Sequence, residues 1–250
     1  MIADPNFYFF AVPAVLLTGV SKGGFGGAFS GVAVPLMALA ISPLQAAAVM
    51  LPVLCLMDLF GVRPYLGKWD TANLRIIVPG SLIGIALGTL TFGLLSDYVI
   101  RMMIGSITIL FVLNGWLGLA SRQVKRGRSA VRGTCWASIS GFTSFLAHTG
   151  GPPIMMYLLP QQMEKVAYVA TINLFFLIAN AVKVLAYAGL GQLSLANLST
   201  SIVLSPLVPL GVWMGLWLQS KVNQVWFYRI AQTCLFLTGI QLIYQGINSG

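Results

Sequence analysis

Apolar segments recur along the chain at roughly 76–95, 99–120, 166–187, 198–219 and 225–246, each near the ~20 residues that a helix needs to cross a bilayer. Soluble domains carry about 25% charged residues. Here the charged fraction is 8% and the hydrophobic fraction 58%, so these runs have no aqueous surface to sit beneath. The fold class is therefore an all-α integral membrane protein, a polytopic bundle of about 7–8 transmembrane segments. Barrel strands would instead show short segments of alternating polarity. The longest polar connection, Arg122 to Arg132, is too short to bury a core, so no soluble domain fits between the spans.

The net charge of +9 would suggest a nucleic-acid partner in a soluble protein. In a membrane protein it has a plainer origin, and no nucleic acid is expected. Arg122, Lys125, Arg126, Arg128 and Arg132 fall in one loop, which the positive-inside rule places in the cytoplasm. Cys55, Cys135 and Cys234 lie inside apolar segments without paired spacing, and read as small core residues. The stretch Met1 to Phe7 contains Asp4 and no basic residue, so it lacks a signal peptide's positive region and the first apolar run is expected to be retained.

That first run is interrupted. Phe7 to Val20 and Ala28 to Ile41 are each too short to span, and Ser21-Lys22-Gly23-Gly24-Phe25-Gly26-Gly27 separates them. A lysine between apolar helices costs roughly 2.5 to 3.5 kcal/mol on insertion scales, so it is kept where it meets water, a partner or a substrate. The glycines leave backbone amides bare, and a helix restarting near Ala28 would point the positive end of its dipole at whatever binds there. A second break, Leu146-Ala147-His148-Thr149-Gly150-Gly151-Pro152-Pro153, separates Thr134–Ala147 from Pro152–Pro160. Proline suits a first helical turn, which predicts a short helix beginning near Pro152.

Sliding the sequence along itself by 124 residues sets Gly26 and Gly27 on Gly150 and Gly151. The same offset sets Gly67, Ala72, Asn73 and Leu74 on Gly191, Ala196, Asn197 and Leu198. These matches cluster at breaks and loop ends, as in a duplicated unit. The predicted organisation is a first repeat over 1–121 (broken helix 7–41 plus three spans), a basic cytoplasmic linker over 122–132, and a second repeat over 133–250 (broken helix 134–160 plus three spans). Loop 63–75 carries Arg63, Lys68 and Arg75 against Asp70, whereas its counterpart 188–197 is uncharged. Equivalent loops thus read as facing opposite sides, which predicts inverted repeats whose two breaks converge near mid-membrane. Parallel repeats of four spans each are the alternative.

Candidate substrate-binding residues are Ser21, Lys22, Gly23, Gly24, Phe25, Gly26 and Gly27 from the first break, and His148, Thr149, Gly150 and Gly151 from the second. His148, the sole histidine, could also take up a proton, as could Asp58, which lies in an apolar segment. These two are the candidate coupling groups. Asp58 could pair with Lys22 or sit beside Arg63. Asn173 and Asn180 form a polar stripe with Lys183 three residues on; Asn173 is kept as a binding candidate, although asparagines also join helices. Gly84 with Gly88, and Gly211 with Gly215, read as close helix packing. No carboxylate pair, metal set or phosphate loop is present in the sequence, so neither an enzyme nor a cofactor is expected.

The segment Gly19-Val20-Ser21-Lys22-Gly23-Gly24-Phe25-Gly26-Gly27, Pro35, Gly67-Lys68-Trp69-Asp70 and His148-Thr149-Gly150-Gly151-Pro152-Pro153 resemble the TauE/SafE family of sulfite exporters. The resemblance covers Phe7 to about Ile247. It implies a multi-pass bacterial inner-membrane permease, surrounded by lipid, that moves sulfite, sulfoacetate or a related organosulfonate outward. A small anion is then the substrate, a proton or sodium ion the coupling ion, and a homodimer the candidate assembly. An anion channel, an uptake permease for sulfate or a carboxylate, and a membrane enzyme or assembly factor are the competing readings.

Overall fold

The computed structural model describes residues 2, 4–24, 30–117, 127–221 and 224–249. Its first half runs through α1 (Pro5–Gly24), a 3-10 turn (Ser30–Val32), α2 (Ala33–Met37), α3 (Pro43–Val62), α4 (Thr71–Leu90) and α5 (Asp97–Trp116). The second half runs through α6 (Ala130–Ala147), α7 (Gly151–Leu158), α8 (Lys165–Gly189), α9 (Leu195–Leu204), α10 (Leu207–Lys221) and α11 (Gln224–Ser249). Among the described residues there is no strand.

Helix starts follow local chemistry. Ser42 Oγ accepts from the Gln45 amide at 3.3 Å, and Pro43 fills the first turn of α3, where its missing N–H costs nothing. Asp70 and Ser194 cap α4 and α9 in the same way, through the amides of Asn73 and Asn197 at 2.9 and 3.2 Å. These two caps stand 124 residues apart, at positions the sequence offset equates.

Three described segments are long and apolar enough to cross a membrane: Pro43–Tyr65, Thr71–Leu90 and Val166–Gly189. Leu195–Leu204 and Leu207–Leu218, bent by 41° at the interruption containing Pro206, make a fourth if taken as one span.

α4 packs on α6, α1 on α10 and α5 on α11, while α3 meets α8 and α9, and α4 also meets α8. Exchanging α1 with α6, α3 with α8, α4 with the α9–α10 pair and α5 with α11 returns these same pairings. Two of the contacts depend on missing side chains. A Cβ at Gly84 would lie 1.9 Å from the Ser138 carbonyl oxygen on α6, and one at Gly23 would lie 2.3 Å from the Val212 carbonyl oxygen on α10. The approach at Gly84 is the one the G-x-x-x-G spacing predicts, whereas Gly23, expected at a binding site, packs against a helix backbone. α3 is the central helix, and Ala46 through Leu51 are fully buried along it.

Polar contacts gather at the two ends of the bundle. At one end Arg128 reaches Asp70 at 2.8 Å, Thr171 Oγ1 accepts from the Asp70 amide at 2.9 Å, and Asn73 donates to Gln161 at 3.0 Å. At the other, Gln45 donates to Asn197 at 3.4 Å and the Ile2 amide to Thr200 at 3.0 Å, while Arg101 donates to the Ala38 and Ile41 carbonyls at 2.6 and 3.3 Å. Arg122, Lys125 and Arg126 of the basic loop lie outside the described residues.

Candidate functional site

Lys22 sits in the last turn of α1 and is 6% exposed, so it does not reach out to an aqueous interface. Its ammonium pairs with Asp58 Oδ1 on α3 and lies 5.9 Å from the centre of the Phe176 ring on α8, within cation–π range. Asn180, also on α8, donates to the other Asp58 oxygen. Of the two sequence-based options for Asp58, the structure takes the pairing with Lys22. Three helices are thereby tied together by one buried carboxylate.

A second cluster lies on the same face of α8. Lys183 Nζ donates to the Ser144 carbonyl at 3.0 Å, to Ser144 Oγ at 2.9 Å and to His148 Nδ1 at 2.6 Å. His148 Nε2 lies 2.9 Å from the Ala47 carbonyl of α3. An ammonium can only donate and a carbonyl can only accept, so these partners require the neutral imidazole with its proton on Nε2. His148 holds a left-handed backbone at φ 54°, ending α6 with its amide donating to Ser144 and the Thr149 amide donating to Thr143. That conformation is uncommon outside glycine, and here the ring's two hydrogen bonds hold it.

The two breaks touch. A Cβ on Gly31, two residues past the undescribed 25–29, would lie 3.1 Å from the Thr149 methyl and 3.2 Å from its Cα. Thr149 Oγ1 donates to the Thr143 carbonyl at 3.2 Å, and the Gly150 carbonyl accepts from Ser140 Oγ at 2.6 Å. Gly151 opens α7, with Pro152 in its first turn as the sequence predicts.

Several expectations change. The first break was expected to begin at Ser21, yet α1 stays helical through Gly24, because Gly23 lets that stretch pack directly on the α10 backbone. Phe25, Gly26 and Gly27, like the helix restart expected near Ala28, fall outside the described residues. The chain next appears as a 3-10 turn and then the five-residue α2. Ser21 is buried beside Lys22 in sequence. Asn173 donates to the Gly61 carbonyl at 3.0 Å and pins the end of α3 to α8. Cys135 is exposed where a core position was expected, since it lies on an outward face of α6.

Lys183 and Asn180 were noted in sequence only as parts of a polar stripe and were not among the candidates. Their signal was the run Asn173, Asn180, Lys183 on one face of an apolar helix, which spacing alone does not separate from interhelical glue. Thr18 Oγ1, one turn before Lys22, is buried and has no hydrogen-bond partner among the described residues.

A helical bundle with three or four apolar spans and a buried polar centre is that of a multi-pass membrane protein. A family model described as Sulfite exporter TauE/SafE matches residues 11–242 of the 250, and the chain belongs to that family. No curated protein and no solved structure matches it.

Proposed function

We propose that the chain is a secondary transporter that exports a small sulfur-containing anion, such as sulfite, sulfoacetate or a related organosulfonate, across the bacterial inner membrane. The observation that carries this reading is the cation excess at the touching breaks: buried Lys22 pairs with the Asp58 carboxylate, while buried Lys183 meets only neutral partners among the described residues. Such a centre attracts an anion and disfavours a cation. Family membership supplies the sulfur-anion class. Residues 21–24, His148 to Gly151 and Asn173 line or hold the path in this reading, and a proton is the coupling ion, with Asp58 on its route and His148 beside it.

The polar contacts at the bundle ends support inverted repeats. Taking the end with Arg128 as cytoplasmic, Asp70 and the start of α4 lie there. Gln161, just past α7, bonds Asn73 at the same end, so α6 and α7 enter and leave from the cytoplasm as a re-entrant hairpin. At the opposite end, Ile2 bonds Thr200, and Ala38, just past α2, bonds Arg101. α1 and α2 are then the matching hairpin from the outside. Each hairpin is followed by three crossings, α3, α4 and α5 in one half and α8, the α9–α10 pair and α11 in the other.

Sulfite efflux from proteoliposomes tests the function. Lys22→Ala is expected to lower efflux by roughly 10- to 100-fold, the loss of a hydrogen bond to a charged group, with a parent-like gel-filtration profile. Undiminished efflux by that variant would remove Lys22 from the path. Large currents without a coupled gradient would mark a channel instead.

A further inference from the structure

The buried centre is not electrically balanced. Lys22 faces Asp58, but among the described residues the partners of Lys183 are the Ser144 carbonyl, the Ser144 hydroxyl and His148 Nδ1, all neutral. Lys183 is 0% exposed, Asp58 2% and Lys22 6%, so water does little to screen any of them. With both ammonium groups charged and Asp58 ionised, the centre sums to one positive charge. An uncompensated buried charge is costly, and a monoanion would cancel it. A dianion overshoots by one charge unless a proton accompanies it.

Geometry indicates where that proton goes. His148 Nδ1 faces the Lys183 ammonium, so a second ring proton would be driven against a positive charge and would forfeit that hydrogen bond. Asp58 has no such obstacle, because an anion arriving at Lys22 replaces it there. The charged and titratable groups around Asp58 are Lys22 from α1, Lys183 from α8, Cys55 from its own helix and His148 beyond Lys183. α2 and α9 contain no titratable residue, and Arg101 of α5 is engaged with carbonyls at the bundle end.

We propose that Asp58 is an internal counter-ion that a bound anion displaces from Lys22, and that Lys183 is the second cation of the site, so that a dianion binds together with one more proton than a monoanion does. The step is a transfer of one proton from solvent to the displaced Asp58 carboxylate; the charge of two lysines, a neutral Asp58 and a dianion then sums to zero. Asn180 stays as the donor that holds the displaced carboxyl group. The inference rests on the anion site proposed above, and adds the charge class of its substrate and the stoichiometry of its proton.

Sulfate and methanesulfonate are suitable probes because one is a dianion and the other a monoanion throughout the range, whereas sulfite changes charge within it. Their binding to the purified full chain is measured by calorimetry from about pH 5.5 to 8.5, either side of neutrality. Sulfate Kd is expected to rise with pH more steeply than methanesulfonate Kd, by up to a further tenfold per pH unit, the slope of one linked proton. Asp58→Asn is expected to bind sulfate without that extra slope, and Lys183→Gln to weaken both anions about tenfold or more. Parallel profiles for the two anions in the parent overturn the proposal, and they decide it even if the variants do not fold. So does a parent-like sulfate slope in Asp58→Asn. Binding lost in Lys22→Gln but kept in Lys183→Gln removes this inference and leaves the anion site standing. No binding of either anion by the parent removes both.

Discussion

A buried ammonium group whose partners are all neutral is the most consequential residue-level feature of this protein, and it makes His148 a positioning residue. The ring accepts from Lys183 and donates to Ala47, which fixes where the ammonium points. Glutamine offers one acceptor and one donor in a similar arrangement. His148→Gln is therefore expected to weaken anion binding by severalfold while leaving the sulfate pH slope as in the parent. Titration of the same variant by calorimetry checks this, and a flattened slope would transfer the proton from Asp58 to His148. Lys22→Arg is expected to recover only part of the efflux lost in Lys22→Ala, since a planar guanidinium does not reproduce a compact ammonium beside both Asp58 and the Phe176 ring.

At the level of elements, glycine contacts and caps decide how tightly helices sit. Gly84→Ala places a methyl into the Ser138 carbonyl, 1.9 Å away, and is expected to cost at least the roughly 1–3 kcal/mol of an overpacked core. Gly127→Ala, whose Cβ meets nothing within 4 Å among the described residues, is the control. Thermal unfolding in detergent compares the two. Asp70 carries both a cap and a charge. Burial pulls its carboxyl upward, but the Asn73 amide, the Arg128 guanidinium and the Ala72 amide together hold it below the ordinary carboxylate value. A carboxylate lowered on folding stabilises above its unfolded value of about 3.9, and the contribution is lost as pH falls through the folded value. Asp70→Asn keeps a capping oxygen and loses the charge, so its melting temperature is expected to fall less steeply than the parent's below about pH 4. Asp70→Ala also loses the cap, at a further cost of about 0.5–2 kcal/mol.

The whole molecule can be tested by its sidedness. Lys68 lies in the loop leading to Asp70, at the end with Arg128, and Gln192 lies in the loop leading to Ser194, at the end with Gln45 and Arg101. Single cysteines at 68 and 192 are expected to label from opposite faces of the membrane. Labelling from the same face would exclude inverted repeats.

The sequence by itself determined that this is a helical membrane protein, where its second chain break lies and which family it belongs to, whereas α1 runs on through Gly24, past the expected start of the first break. Those properties are written in runs of apolar residues, glycines and prolines that act over a few turns at most. Lys22, Asp58 and His148 stood out for a local reason too, as polar groups in apolar stretches. Their partnership was decided only by the tertiary structure, because Lys22 meets Asp58 across 36 positions and Asn180 meets it across 122. Lys183 shows the limit most plainly. In sequence it is one polar residue on a helix face, and its meaning depends on what three other helices place around it, which no local pattern encodes.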